Sequence, residues 1–87
     1  MTYTVAALYR FTPIADATAL QAQLKAAFAK LSICGSLLIA PEGINGTLAG
    51  SADAVDRMLT LLAETTGLSR SEVKFSTSPF KPFDRLK

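Results

Sequence analysis

The run from Gly35 to Gly50, GSLLIAPEGINGTLAG, constrains this chain more than any other segment. Leu37-Leu38-Ile39 is a short continuous apolar run, the pattern of a strand buried on both faces. Pro41-Glu42-Gly43 is turn chemistry, because proline pre-sets φ and glycine takes positive φ without a steric cost. Ile44 to Leu48 then returns as a second strand, so the segment reads as a β-hairpin at the heart of a small sheet. Asn45-Gly46 offers a competing type I′ turn. That turn pairs Ile44 with Thr47 and leaves Leu37 to Ile39 without a partner, so the turn at Pro41 to Gly43 is preferred. Gly46 then lies inside a strand, where glycine marks a bulge or a close backbone approach. Glu42, Gly43, Asn45 and Gly46 carry two readings: backbone geometry alone, or contact with a ligand or partner.

With 87 residues the chain is one small domain. A chain of this size buries only roughly 60–65% of its unfolded surface. Charged residues make up 18%, below the usual ~25%, which suits a domain that hides one face against something else. The uncharged run Leu31 to Pro41 is too short and too mixed to cross a bilayer, and no signal-peptide pattern opens the chain. The single cysteine, Cys34, forms no internal disulfide, which agrees with a cytoplasmic setting. It has no base beside it in sequence to make a reactive thiolate. Without histidine and without metal-ligand spacing, no catalytic residue, metal site or cofactor is expected here.

The basic residues are unevenly spread. Arg10, Lys25, Lys30 and Arg57 are outnumbered by acids up to residue 69, whereas Arg70, Lys74, Lys81, Arg85 and Lys87 meet only Glu72 and Asp84 in the remainder. A basic end suggests a polyanionic partner; a solvated tail is the plainer explanation.

Thr2 to Phe11 reads as a central strand, with Tyr3, Val5, Ala7, Tyr9 and Phe11 on one side and Thr4, Ala6, Leu8 and Arg10 on the other. Asp16 caps a helix whose stripe is Leu20, Leu24, Ala27, Phe28 and Leu31. Ser51 caps a second helix, with Val55, Met58, Leu59 and Leu62 as its stripe and Thr65-Thr66-Gly67 at its end. Val73, Phe75 and Thr77 alternate with Lys74 and Ser76 as a fourth strand. The order βαββαβ, with right-handed crossovers, predicts an α+β ferredoxin-like sandwich with sheet order 4-1-3-2 and both helices on one face. Its uncovered face is expected to hold Ala6, Leu8 and part of Leu37 to Ile39, and to dock on a partner. Residues 1–78 form this domain. Residues 79–87, with Phe80 and Phe83 between prolines and bases, lead out of it.

The PEGINGT core and its flanks, Ser36 to Gly50, resemble the N-terminal acylphosphatase-related domain of the bacterial rhodanese-like tRNA uridine hydroxylases. Ala7-Leu8-Tyr9-Arg10-Phe11 and the closing Pro82-Phe83-Asp84-Arg85-Leu86-Lys87 fit the same family. The resemblance covers nearly the whole chain. It implies a parent protein that hydroxylates the wobble uridine of tRNA with oxygen, and a rhodanese domain, absent here, that carries the family's cysteine. Cys34 lies outside the matching motif. On this reading the chain is an accessory module that docks on the rhodanese domain and helps hold tRNA. Arg10, Lys74, Lys81, Arg85 and Lys87 are its candidate phosphate contacts. A purely structural docking domain is the alternative, and acylphosphatase-type hydrolysis a third. Acylphosphatases cradle phosphate in a glycine-rich loop after the first strand; Tyr9 to Pro13 has no glycine.

Overall fold

A computed structural model describes residues 2–82, so Phe83, Arg85 and Lys87 lie outside the described residues. The elements are β1 (Tyr3–Phe11), α1 (Ala17–Lys30), β2 (Cys34–Ala40), β3 (Gly43–Gly50), α2 (Ala52–Thr66), a 3-10 turn at Arg70–Glu72, and β4 (Val73–Ser78). The sheet order is β2-β3-β1-β4, which is 4-1-3-2 read from the other edge, and every neighbouring pair is antiparallel. The expected ferredoxin-like sandwich is the observed one.

Both helices begin where the sequence places their caps. The Asp16 carboxylate accepts from the Ala19 amide at 3.0 Å, and the Ser51 hydroxyl accepts from the Ala54 amide at 3.1 Å. Each such cap stabilises by about 1 kcal/mol. Gly67 ends α2 in the left-handed region at φ 76°, and its amide donates to Ala63. Leu24 and Phe28 of α1 share one core with Val55, Met58, Leu59 and Leu62 of α2. Fully burying such a side chain stabilises by roughly 1.5–3 kcal/mol.

Strand register decides which sheet residues join that core. Leu8 stands opposite Gly46, and Gly46 opposite Leu37; Ala6 stands opposite Leu48, and Ile44 opposite Ile39. Residues directly opposite share a face, and this set is the buried one. Ala6 and Leu8, expected on the uncovered face, are 0% and 4% exposed beneath the helices. The correction has a steric reason. Small residues on β1 and β3 (Ala6, Gly46, Gly50) alternate with Leu8 and Leu48, and at Gly50 an added Cβ would already touch Ile33 and, in α2, Ala54. The aromatic set lies on the other side of β1, where Tyr9 and Phe11 remain exposed. The uncovered face therefore carries Tyr3, Val5, Ala7, Tyr9 and Phe11. At β2, Leu38 is exposed on the uncovered face, as expected of part of the Leu37 to Ile39 run; the reading of that run as buried on both faces is corrected, because helices cover only one side of the sheet.

The hairpin turns where expected, with Ala40 opposite Gly43 and not at Asn45-Gly46. Gly43 has φ 155°, and a Cβ there would lie 2.1 Å from the Arg10 carbonyl oxygen. At Gly46 a Cβ would lie 2.5 Å from the Ser36 carbonyl oxygen. Both glycines thus mark close backbone approach across β3. Substituting Gly43→Ala forces β1 and β3 apart and is expected to destabilise the domain by roughly 1–3 kcal/mol. A urea denaturation midpoint equal to wild type would contradict this.

Candidate functional site

The chain after β1 is bolted to the hairpin turn. The Thr12 amide donates to the Glu42 carbonyl and the Ile14 amide to the Pro41 carbonyl, each at 3.0 Å. The Thr12 and Ile14 amides are therefore already bonded and not free to cradle an anion. Arg10 is held as well. Its Nε donates to the Thr66 carbonyl at 3.1 Å and its Nη1 pairs with Glu72 at 2.8 Å, tying the end of β1 to the end of α2 and to the 3-10 turn.

Glu72 is anchored twice. The Ser69 amide donates to its carboxylate at 2.9 Å in a capping box. That bond, aided by the Arg10 guanidinium and opposed by partial burial, holds Glu72 below its ordinary value.

Other arginines are also paired: Arg57 with Asp53 at 3.0 Å, and Arg70 with Asp56. Lys74 and Lys81 are exposed and have no ion-pair partner among the described residues. Of the residues singled out from sequence, the structure brings Glu42, Gly43 and Asn45 together at the hairpin end of the sheet. Arg10 reaches that end through its backbone and turns its side chain to the α2 side. Lys74 sits on β4 opposite Ala7, and Lys81 lies beyond the end of β4. Cys34 is 3% exposed, and its thiol donates to the carbonyl of its strand partner Ala49 at 3.5 Å. This is a packing role.

Sequence reasoning missed the aromatic corner. Tyr9 and Phe11 are 58% and 77% exposed, with ring centroids 5.4 Å apart and planes at 89°. With Leu38, Glu42 and Asn45 they line a pocket of about 220 Å³. A second hollow of about 400 Å³ adjoins it, sharing Tyr9 and Asn45 and reaching Thr47, Ser71, Glu72 and Lys74. The alternation of β1 held the signal: two aromatics two residues apart lie on one face whichever face that is. Among the described residues there is no cluster of three or more metal-ligating side chains, and no helix is long and apolar enough to cross a membrane.

A four-stranded sheet backed by two helices, with this hairpin, defines an acylphosphatase-like domain. An acylphosphatase from Coxiella burnetii superposes with a TM-score of 0.65 over 98% of this chain and 90% of that one, at 9% identity, a likeness of fold alone. The model of the UPF0176 acylphosphatase-like domain matches residues 3–87, and the chain belongs to that family. Among its relatives is the tRNA uridine(34) hydroxylase of Deinococcus radiodurans, 48% identical over 85 residues. That match covers 98% of this chain and 28% of the relative. The proteins of the same name from Jannaschia sp. and Bradyrhizobium diazoefficiens are each 46% identical, with 28% and 34% of their lengths covered. The chain thus spans about a third or less of the relatives it matches.

The lowered Glu72 value fixes a direction for pH. Its stabilising contribution is present in full above the ordinary glutamate value of 4.5 and is lost as the pH falls through the lowered one. Denaturation midpoints taken from pH 7 down to pH 3 should therefore fall more steeply for wild type than for Glu72→Gln. Parallel profiles would contradict the anchored carboxylate.

Proposed function

We propose that this chain is the N-terminal module of a tRNA-modifying oxidoreductase that hydroxylates C5 of the wobble uridine with oxygen, acting in the cytoplasm. The observation that carries this reading is the identity of 41–48%, over nearly all of the chain, to proteins named tRNA uridine(34) hydroxylase. The module itself supplies no catalytic group and holds no cofactor. Its work is to dock on the rest of the polypeptide, including a rhodanese domain, and to help hold tRNA.

Two surfaces suit these tasks. The β4 edge is short and carries exposed Phe75, and exposed Phe80 follows it, a pair of apolar side chains beside the strand from which the chain continues. This edge is the proposed docking side. Lys74 and Lys81 are unpaired among the described residues, and with Arg85 and Lys87 in sequence they offer cations to phosphate. Arg10 is the weakest of the proposed phosphate contacts, because Glu72 and Thr66 already engage it. Acyl phosphate hydrolysis is disfavoured by the bonded amides of Thr12 and Ile14, and no acyl phosphate turnover by this domain is expected.

Hydroxylation of tRNA by the full-length protein is expected to fall sharply when residues 1–78 are removed. Charge reversal at Lys81 and Arg85 in the full-length protein should weaken tRNA binding and flatten its salt dependence. Full activity without the domain, or affinity unchanged at every salt concentration, would contradict the respective part of the reading.

A further inference from the structure

The two hollows adjoin on the uncovered sheet face across Tyr9 and Asn45, and together they make a groove interrupted only by those two side chains. It starts beside Lys74 on β4, crosses Tyr9 on β1 and Asn45 on β3, and ends against Leu38 on β2. Tyr9 stands directly opposite Asn45, and Asn45 opposite Leu38, so these three side chains sit in a row across the strands. Lys74 is opposite Ala7, two residues from Tyr9. Strand spacings of about 4.8 Å and residue steps of about 3.3 Å put its Cα roughly 8 Å from that of Tyr9.

The chemistry of the groove is specific. The perpendicular Tyr9 and Phe11 rings make a corner, in which a planar group stacked on one ring presents its own electropositive edge to the face of the other. The first hollow, about 220 Å³, suits one ring system and not an extended ligand. The exposed Asn45 amide offers both a donor and an acceptor to the edge of that ring system. Glu42 at the same end would repel a phosphate, and Lys74 at the other end would attract one; Glu72 also lines that end, but its carboxylate is already paired with Arg10 at 2.8 Å. The surface is thus aromatic beside Glu42 at one end, has an amide at its centre, and at the other end carries Lys74 without an ion-pair partner among the described residues, next to the Arg10-paired Glu72. A packed protein core seated here would strip water from Asn45 and Lys74 without answering them. A nucleotide answers both.

We propose that this groove binds an unpaired stretch of the RNA. One base stacks in the Tyr9–Phe11 corner, the Asn45 amide hydrogen-bonds its edge, and the adjoining phosphate lies on Lys74. The inference rests on the tRNA-acting reading above and assigns the uncovered face to RNA, leaving the β4 edge to the rest of the polypeptide. Stacking platforms of this kind on a four-stranded sheet are a general solution for reading single-stranded RNA.

The test uses the full-length protein and an unmodified tRNA transcript. Tyr9→Leu and Phe11→Leu keep apolar bulk at exposed positions and remove the ring. Each should weaken binding about fivefold or more, with the salt slope unchanged because stacking releases no counterions. Lys74→Gln should instead reduce the slope by about one. If wild type binds and both ring variants bind equally well, the groove assignment is wrong while the tRNA-acting reading stands. If wild type does not bind tRNA, both are wrong. If the ring variants expose the junction between the domains to protease in the absence of RNA, the face is a protein contact and the proposal is overturned.

Discussion

The fold depends on how closely β3 approaches its two neighbours. At Gly43 the backbone lies against the Arg10 carbonyl, and at Gly46 against that of Ser36, with no room for a side chain at either place. This closeness locks the register on both sides of β3, and a slip of one residue would exchange every core side chain for a solvent-facing one. The same lock sets Tyr9, Asn45 and Leu38 abreast on the uncovered face. Residues that look like a ligand-binding signature in sequence divide into two kinds. The glycines bring the strands together, and Asn45 and Glu42 are what the strands then display.

Much of this was legible in the sequence because local chemistry decided it. Asp16 and Ser51 capped the helices, apolar spacing set their buried stripes, and the proline–glycine pair fixed the turn. The face of β1 was not legible, since both of its sides are apolar and alternation alone cannot say which one meets the helices. Tertiary packing settled it: helices close over Ala6 and Leu8 more readily than over Tyr9 and Phe11. An apolar run likewise does not reveal that only one side of its strand is covered: Leu37 and Ile39 meet the helices, and Leu38 between them faces away. The Arg10–Glu72 pair joins residues far apart in the chain, and nothing in local sequence announces it.

The comparisons speak to different levels. The likeness to acylphosphatase, at 9% identity, concerns the backbone path. In this chain the loop after β1 spends its amides on the hairpin turn, and the nearby arginine is tied to Glu72. The likeness to the tRNA uridine(34) hydroxylases runs through nearly every element, though it spans only a third or less of those proteins.

The most direct measurement is hydroxyl-radical footprinting of the full-length protein, free and bound to tRNA, read at Tyr9, Phe11 and Leu38. The account predicts strong reactivity at all three in the free protein and protection by tRNA. Reactivity already absent in the free protein, or unchanged on binding, would contradict it.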